Sequence, residues 1–410
     1  MENRPLFSVL ICTVGKPELV KCAIKSVLNQ TLQSFEIVVT DTSGTNLVRD
    51  AVSLFKDVRL KFFEVPDKDP SISWDFAYDQ STGEYVLWFD DDNCLVNFAL
   101  ERFNEIIKKE KPDIVSGNHV YYYGRGNRHN PGLENALGVL LPFSFKYKIY
   151  NPEDMLSAVY DLSVGSKKMP ARWHSAATFI ARSLCEKVKE RTGEVMTRHL
   201  LANFHFHPLF FAYAKKPIYD DRPLSVIGKF SSSITQQWSN TYAKQEERGV
   251  LPFRFTGLTA KTGSNTNCEC YLQAQRLIPE KLAKYELNLP QFYKNYLNDL
   301  MLIDLPFKKH LFYWLELWKI VGRLEKNSRR KIHSKVLRAA AVSFIIYLLR
   351  NLGVWDAVRK LRKKFITENP NRKFVKLDAY GINSIEECAL QLKDIMKKEF
   401  GLEIRNEPQR

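Results

Sequence analysis

The segment Gly83 to Asn93 reads Gly-Glu-Tyr-Val-Leu-Trp-Phe-Asp-Asp-Asp-Asn: an apolar run of strand-forming type that ends in three consecutive carboxylates and an amide. A buried strand cannot hold three adjacent ionised aspartates, because desolvating even one unpaired carboxylate is strongly unfavourable. They are therefore expected at the exposed carboxyl end of a strand, where open α/β sheets place their ligands. Hard oxygen ligands packed this tightly suit a divalent cation, Mg2+ or Mn2+. Such a cation commonly arrives with a phosphate-bearing substrate.

The residues before this run extend the pattern. Phe7 to Thr13 is a nearly continuous apolar stretch, Val14-Gly15-Lys16-Pro17 breaks it, and Glu18 to Asn29 carries Leu19, Val20, Ala23, Ile24, Val27 and Leu28 at helical spacing. The same reading predicts strands at Phe35 to Thr40 and Arg59 to Val65, with helices at Leu47 to Phe55 and Trp74 to Gln80. Alternation of this kind builds a parallel sheet. Asp41-Thr42-Ser43-Gly44 closes the second strand as the aspartate triplet closes the fourth, and a helix is expected from Phe98 to Lys109.

Three ordered blocks carry a family likeness: Ser8 to Thr13; Lys25 to Thr31 running on to Phe35-Glu36-Ile37-Val38-Val39-Thr40-Asp41; and Thr82-Gly83-Glu84-Tyr85 leading to Asp90-Asp91-Asp92. They resemble the family 2 glycosyltransferases, whose nucleotide-sugar domain has the GT-A fold. The resemblance extends more loosely to about residue 235, where Tyr219 to Leu224 is similar to the family's closing strand. It implies an α/β fold, a GT-A, mostly parallel sheet flanked by helices, and an inverting transfer from a nucleoside-diphosphate sugar donor to the hydroxyl of a glycan or lipid-linked acceptor. Thr13 and Asp41 would contact the nucleoside. Asp90 and Asp92 would hold the metal, with Asp92 the more direct ligand and Asp91 lying between them at the donor. Where relatives carry an Arg-Asn pair before the third block, this chain has Trp74-Asp75, which puts a cationic donor contact in doubt. The resemblance also implies a carboxylate base in the acceptor half. The window Thr192 to His199 offers Glu194 first and His199 second.

Each residue also has a plainer reading. Asp41 opens a sequence with strong turn chemistry of its own. Trp74 can stack or simply pack, and Glu194 suits a solvated helix end. His205 and His207 alternate with Phe204 and Phe206 as in a packed strand, although one of them could add a metal ligand. Between residues 116 and 213, Tyr121, Tyr122, Tyr123, Phe143, Phe145, Tyr147 and the run Arg172-Trp173-His174 make an acceptor-binding candidate, although such aromatics are as often core.

A chain of 410 residues exceeds what one core usually organises, and 45% hydrophobic with 26% charged residues is ordinary globular composition. The expected division is a catalytic domain over 1–235 (nucleotide-sugar half 1–115, acceptor half 116–235), a connecting region over 236–300 and a basic, mainly helical region over 301–410. The last carries the charge: Leu305 to Lys364 holds 16 Lys and Arg against 3 acids. Its apolar and aromatic stretches suit helices lying on an anionic membrane surface, and its longest uncharged run, Ala339 to Leu349, is 11 residues, against about 20 for a span. The rival is a helical subdomain with a solvated basic face. No nucleic-acid motif accompanies the basic residues, so nucleic acid is not an expected partner. Ile385, Ala389, Leu392, Ile395 and Met396 predict a C-terminal amphipathic helix that folds back on the body or mediates self-association. Seven cysteines without zinc-site spacing, and a start with no apolar leader, set the expectation of a reducing cytoplasmic location, peripheral to the inner membrane face. Two other functions compete. A sugar-nucleotide nucleotidyltransferase would need a glycine-rich phosphate loop after the first strand, which Val14 to Pro17 is not. A non-catalytic protein that keeps the fold would bind neither metal nor donor.

Overall fold

A computed structural model describes residues 4–66, 70–127, 132–163, 173–196, 208–232, 255–260, 262–302, 307–323 and 371–404. The strand and helix alternation is present: β1 (Phe7–Thr13), α1 (Pro17–Leu28), β2 (Phe35–Asp41), α2 (Leu47–Ser53), β3 (Leu60–Glu64), α3 (Pro70–Asp79) and β4 (Tyr85–Asp90). β1 lies between β2 and β4, and β3 follows β2, all in parallel. Successive strand side chains then face opposite cores. Phe7, Val9, Ile11, Ile37, Val39, Leu87 and Phe89 pack with Ile24 and Val27 of α1, whereas Leu10, Val38, Val86 and Trp88 pack with Trp74 and Tyr78 of α3. Covered on both faces, these strands read as unbroken apolar runs.

Beyond β4 the pairing becomes largely antiparallel. The chain continues through β5 (Asn93–Leu95), α4 (Ala99–Glu110), β6 (Ile114–Tyr123), β7 (Ala136–Leu140), β8 (Tyr147–Ile149), α5 (Pro152–Tyr160), β9 (Thr178–Ala181), α6 (Arg182–Thr192) and β10 (Pro217–Lys229). β9 fits antiparallel between β4 and β6. β10 runs parallel to β6 with register shifts between Asp220 and Ser225, and it also pairs β5 and β8. A buried charge cluster pins that irregular stretch. Asp220, fully buried, accepts from Arg102 Nε at 2.6 Å and from Arg222 Nη1 at 3.0 Å.

Helices α7 (Gly263–Leu277), α8 (Pro279–Leu282), α9 (Leu289–Leu302) and α10 (Phe307–Gly322) follow, and Phe292, Tyr296, Leu300, Leu317 and Val321 share a core of their own. Most of the basic stretch, residues 324–370, lies outside the described residues. The chain then returns to the sheet. β11 (Arg372–Lys376) pairs antiparallel with β7, giving the strand order β11-β7-β6-β9-β4-β1-β2-β3. The C-terminal amphipathic segment forms two short helices, α11 (Ile385–Leu390) and α12 (Leu392–Phe400). Its Ile385, Ala389, Leu392, Ile395 and Met396 are buried in the core shared with α1 and β1, so the segment folds back on the body. Among the described residues no helix is long and apolar enough to cross a membrane.

Candidate active site at the strand ends

Register brings the polar strand ends level. Thr13 pairs with Asp41 across β1 and β2, and Cys12 pairs with Asp90 across β1 and β4. Parallel strands all point the same way, so these residues form one ledge at the carboxyl edge of the sheet. The far ends of the same strands are tied together by Glu36. Its carboxylate accepts from Ser8 Oγ at 2.7 Å, Lys61 Nζ at 2.8 Å and the Gly83 amide at 3.0 Å. Burial alone would raise the Glu36 pKa, but Lys61, the Thr82 amide and Ser8 outweigh it and hold the group below its ordinary value. Glu36, Gly83 and Ser8 all lie in the blocks that carry the family likeness, and their work is to fix β4 against β1 and β2.

On the ledge the three aspartates differ. Asp91 turns inward, 4% exposed, and accepts from Thr13 Oγ1 at 2.7 Å and from Lys16 Nζ at 3.0 Å. Asp90 is raised above the ordinary carboxylate value by burial and by the charges of Asp92 and Asp91, with Lys16 opposing. The site thus holds more negative charge than Lys16 balances. That surplus, on oxygen donors, fits a divalent cation. Among the described residues no group of three or more His, Cys, Asp or Glu side chains could hold a metal ion, so two carboxylates such as Asp90 and Asp92 would need a ligand's oxygens to complete a shell.

Asp41 is buried, and its carboxylate accepts from the Gly15 amide at 3.2 Å, the Ser43 amide at 3.0 Å and Ser43 Oγ at 2.7 Å. Its turn-closing role is therefore real. A carboxylate offers about four acceptor positions, which leaves one for a ligand. Trp74 is 8% exposed and packs in the core on the α3 side. Asp75, its neighbour, accepts from the amides of Val195 at 3.1 Å and Met196 at 2.8 Å, which fixes the loop after α6. Burial pushes the Asp75 carboxyl up to about 7 despite the Met196 amide, and the charge of Glu194 adds to the shift. Glu194 is thus brought beside Asp75, at the start of a loop whose continuation, including His199, His205 and His207, lies outside the described residues.

The sequence reading passes over three contributors. Lys16 sits in what reads only as a strand break, yet it pairs with Asp91. Gly228, near the end of β10, has no room for a side chain, because a Cβ there would overlap the Asp92 carbonyl oxygen. Lys229, next in the chain, lies within electrostatic range of Asp92 and Asp90, and its ammonium stands 5.0 Å from the Tyr121 ring centroid. A lysine three residues after the first strand was a signal available in the sequence. Lys229 had none, since only the fold brings β10 to the acidic turn.

Residues 8–177 match the family model for glycosyl transferase family 2, a stretch that includes Thr13, Asp41 and all three aspartates. These residues belong to glycosyl transferase family 2. The chain is 24% identical over 129 residues to an uncharacterized glycosyltransferase of Haemophilus influenzae, a match covering 31% of this chain and 52% of that protein. It is 32% identical over 100 residues to the GalNAc(5)-diNAcBac-PP-undecaprenol beta-1,3-glucosyltransferase of Campylobacter jejuni, covering 23% of this chain and 32% of that one. The chain thus spans about half or less of the length of these curated relatives. Among solved structures, TarS 1-349 of S. aureus in complex with UDP-GlcNAc superposes with a TM-score of 0.50 at 13% identity, covering 83% of this chain and 91% of that one. At that identity the likeness speaks for the GT-A-like fold of the glycosyltransferase domain.

Proposed function

We propose that this chain is a metal-dependent, inverting glycosyltransferase that moves a sugar from a nucleoside-diphosphate donor to a hydroxyl of a glycan or lipid-linked acceptor. The observation that carries this reading is the ledge, on which Asp41 and the Asp90 to Asp92 turn stand level at the ends of adjacent parallel strands. The nucleoside would lie over β1 and β2 with Asp41 accepting from its base edge, and Asp90 and Asp92 would hold Mg2+ or Mn2+ at the diphosphate. Bound there, the cation neutralises charge on the departing diphosphate. Thr13 and Lys16 keep Asp91 turned inward, which fixes the turn's backbone and the direction of its two neighbours. Glu194 is the proposed base for the acceptor hydroxyl, with Asp75 holding its loop, and His199 is the second candidate.

The acceptor class follows the name of the relative from Campylobacter jejuni, whose substrate is linked to undecaprenol diphosphate. A lipid-linked acceptor requires access to a membrane surface. α10 offers one stripe for it: Leu311, Phe312 and Leu315 are exposed alongside Lys308 and Lys319, while Leu317 and Val321 face the helical core. Peripheral association with an anionic inner membrane face, and a role in surface-glycan synthesis, belong to this proposal. Self-association through the C-terminal segment belongs to the same proposal.

Calorimetric titration of UDP- and GDP-sugars, with and without Mn2+, tests the reading. Cation-dependent binding of one donor that is lost in Asp92→Asn supports it. No binding by any donor, with the fold intact by circular dichroism, overturns it.

A further inference from the structure

On the side of the acidic turn away from Asp41, the sheet encloses a second cavity of about 360 Å³. Tyr121 and Tyr123 of β6, Gly138 of β7, Lys229 of β10 and Arg372 of β11 line it, and no acid is among its lining residues. The strand order makes the location unambiguous. β2 and β1 lie on one side of β4, and β6, β7 and β11 lie on the other. The Gly228 backbone touches the Asp92 carbonyl, so Lys229 in the cavity wall is one residue from direct contact with the acidic turn.

The geometry points to this cavity as the subsite for a phosphate group carried by the acceptor, an inference that rests on the transferase reading. Two cations converge here with no acid among the lining residues; the Asp92 and Asp90 charges reach Lys229 from the neighbouring turn, and an anion held between Lys229 and Arg372 would offset their mutual repulsion. Burial depresses the Lys229 ammonium, and the nearby Arg372 charge adds to this, against the pull of Asp92 and Asp90. Arg372 is oriented by donating to Tyr123 Oη at 2.8 Å and by lying 5.3 Å from the Phe374 ring centroid, which fixes one edge of the guanidinium. Its remaining N–H groups, with Lys229 opposite, match the several acceptor oxygens of a phosphate. Tyr121 supplies a ring face beside the ammonium of the kind that packs against a sugar or an isoprenoid. A neutral glycan would use the rings and leave the repulsion between Lys229 and Arg372 unrelieved. The nucleoside diphosphate is served on the other side of the turn. A volume of about 360 Å³ is at the small end of ligand pockets and suits one phosphate with the unit attached to it.

The phosphate could belong to a glycosyl phosphate or to an isoprenyl phosphate, and the test separates them. Galactose 1-phosphate, geranyl phosphate and the neutral methyl galactoside are titrated in turn into the full chain without divalent cations, following tyrosine fluorescence. The expected result is binding of one phosphate probe, about tenfold weakened in Lys229→Met and in Arg372→Met, the loss of a charge-assisted hydrogen bond. Lys229→Arg is expected to restore most of it. The tighter phosphate probe identifies the source. Equal affinity for the neutral galactoside, or phosphate affinity unchanged in folded variants, overturns the subsite. UDP titrated with Mn2+ into the same wild-type sample reports on the transferase reading separately, so either can fail alone.

Discussion

Lys16 Nζ stands 3.0 Å from Asp91 Oδ1, a pair separated by 75 residues in sequence and closed only because β1 and β4 are neighbours. It joins the turn after the first strand to the acidic turn after the fourth. The middle carboxylate of the triplet is thereby committed to the protein, and in the proposed reading its two neighbours serve the cation.

Replacing Lys16 by Met strips the Asp91 carboxylate, 6% exposed, of its cation while Thr13 Oγ1 still donates to it. The expected cost is about 2 kcal/mol of folding stability, the usual penalty for a buried polar group stripped of one partner. Urea denaturation of Lys16→Met beside wild type measures it, and the same variant is expected to bind donor more weakly because the turn is no longer held.

Asp220 accepts from two buried guanidinium groups, Arg102 and Arg222, and Arg102 also pairs with Glu105. Asp220→Ala takes the buried carboxylate from both arginines, and a loss of about 3–5 kcal/mol is expected for breaking such a buried arrangement. Should the variant unfold at room temperature, Asp220→Asn, which keeps one acceptor oxygen but neither the second nor the charge, is expected to fold with an intermediate denaturation midpoint.

Gly228→Ala places a methyl group against the Asp92 carbonyl. Strain of about 1–3 kcal/mol is expected from overpacking there, relieved by displacement of the acidic turn. Cation-dependent nucleotide binding should therefore fall more than thermal stability, which calorimetry and a melting curve on one sample will separate.

Asp75 titrates near neutrality in the folded chain, at about 7 against an ordinary 3.8. Between those values the folded state holds a proton that the unfolded state has released, so this residue makes stability fall as pH rises through that window and level off above about 7. Denaturation midpoints measured at pH values across the window, for wild type and Asp75→Asn, check the sign: the variant should lose this component of the slope. A steeper decline in the variant would be incompatible with a protonated Asp75.

Glu194→Gln is expected to lower kcat by about 10²–10⁴ with donor affinity retained, the range for removing a general base. Steady-state kinetics and donor calorimetry on the same variant distinguish this from loss of binding.

The strands on which the site depends were legible because parallel strands covered on both faces must be apolar throughout, and turn residues punctuate them. Phe7 to Thr13 and the run ending at Asp90 are found where that pattern puts them. Chemistry at strand ends was legible for the same reason, since charge can only appear where burial stops. Contacts made by topology were not. Nothing local to Gly228, Lys229 or Arg372 says that β10 and β11 close around β6 and β7, and Asp75, which the sequence places at the donor-contact position, gives no local sign that it holds the loop at Val195 and Met196.

β11 is supplied by residues 372–376, more than two hundred positions after the β7 strand it hydrogen-bonds. During synthesis the ribosome must deliver the chain through residue 372 before Arg372 can join Lys229. A nascent chain could assemble the nucleotide ledge early, yet it would lack one wall of the neighbouring cavity until residues 372–376 emerged.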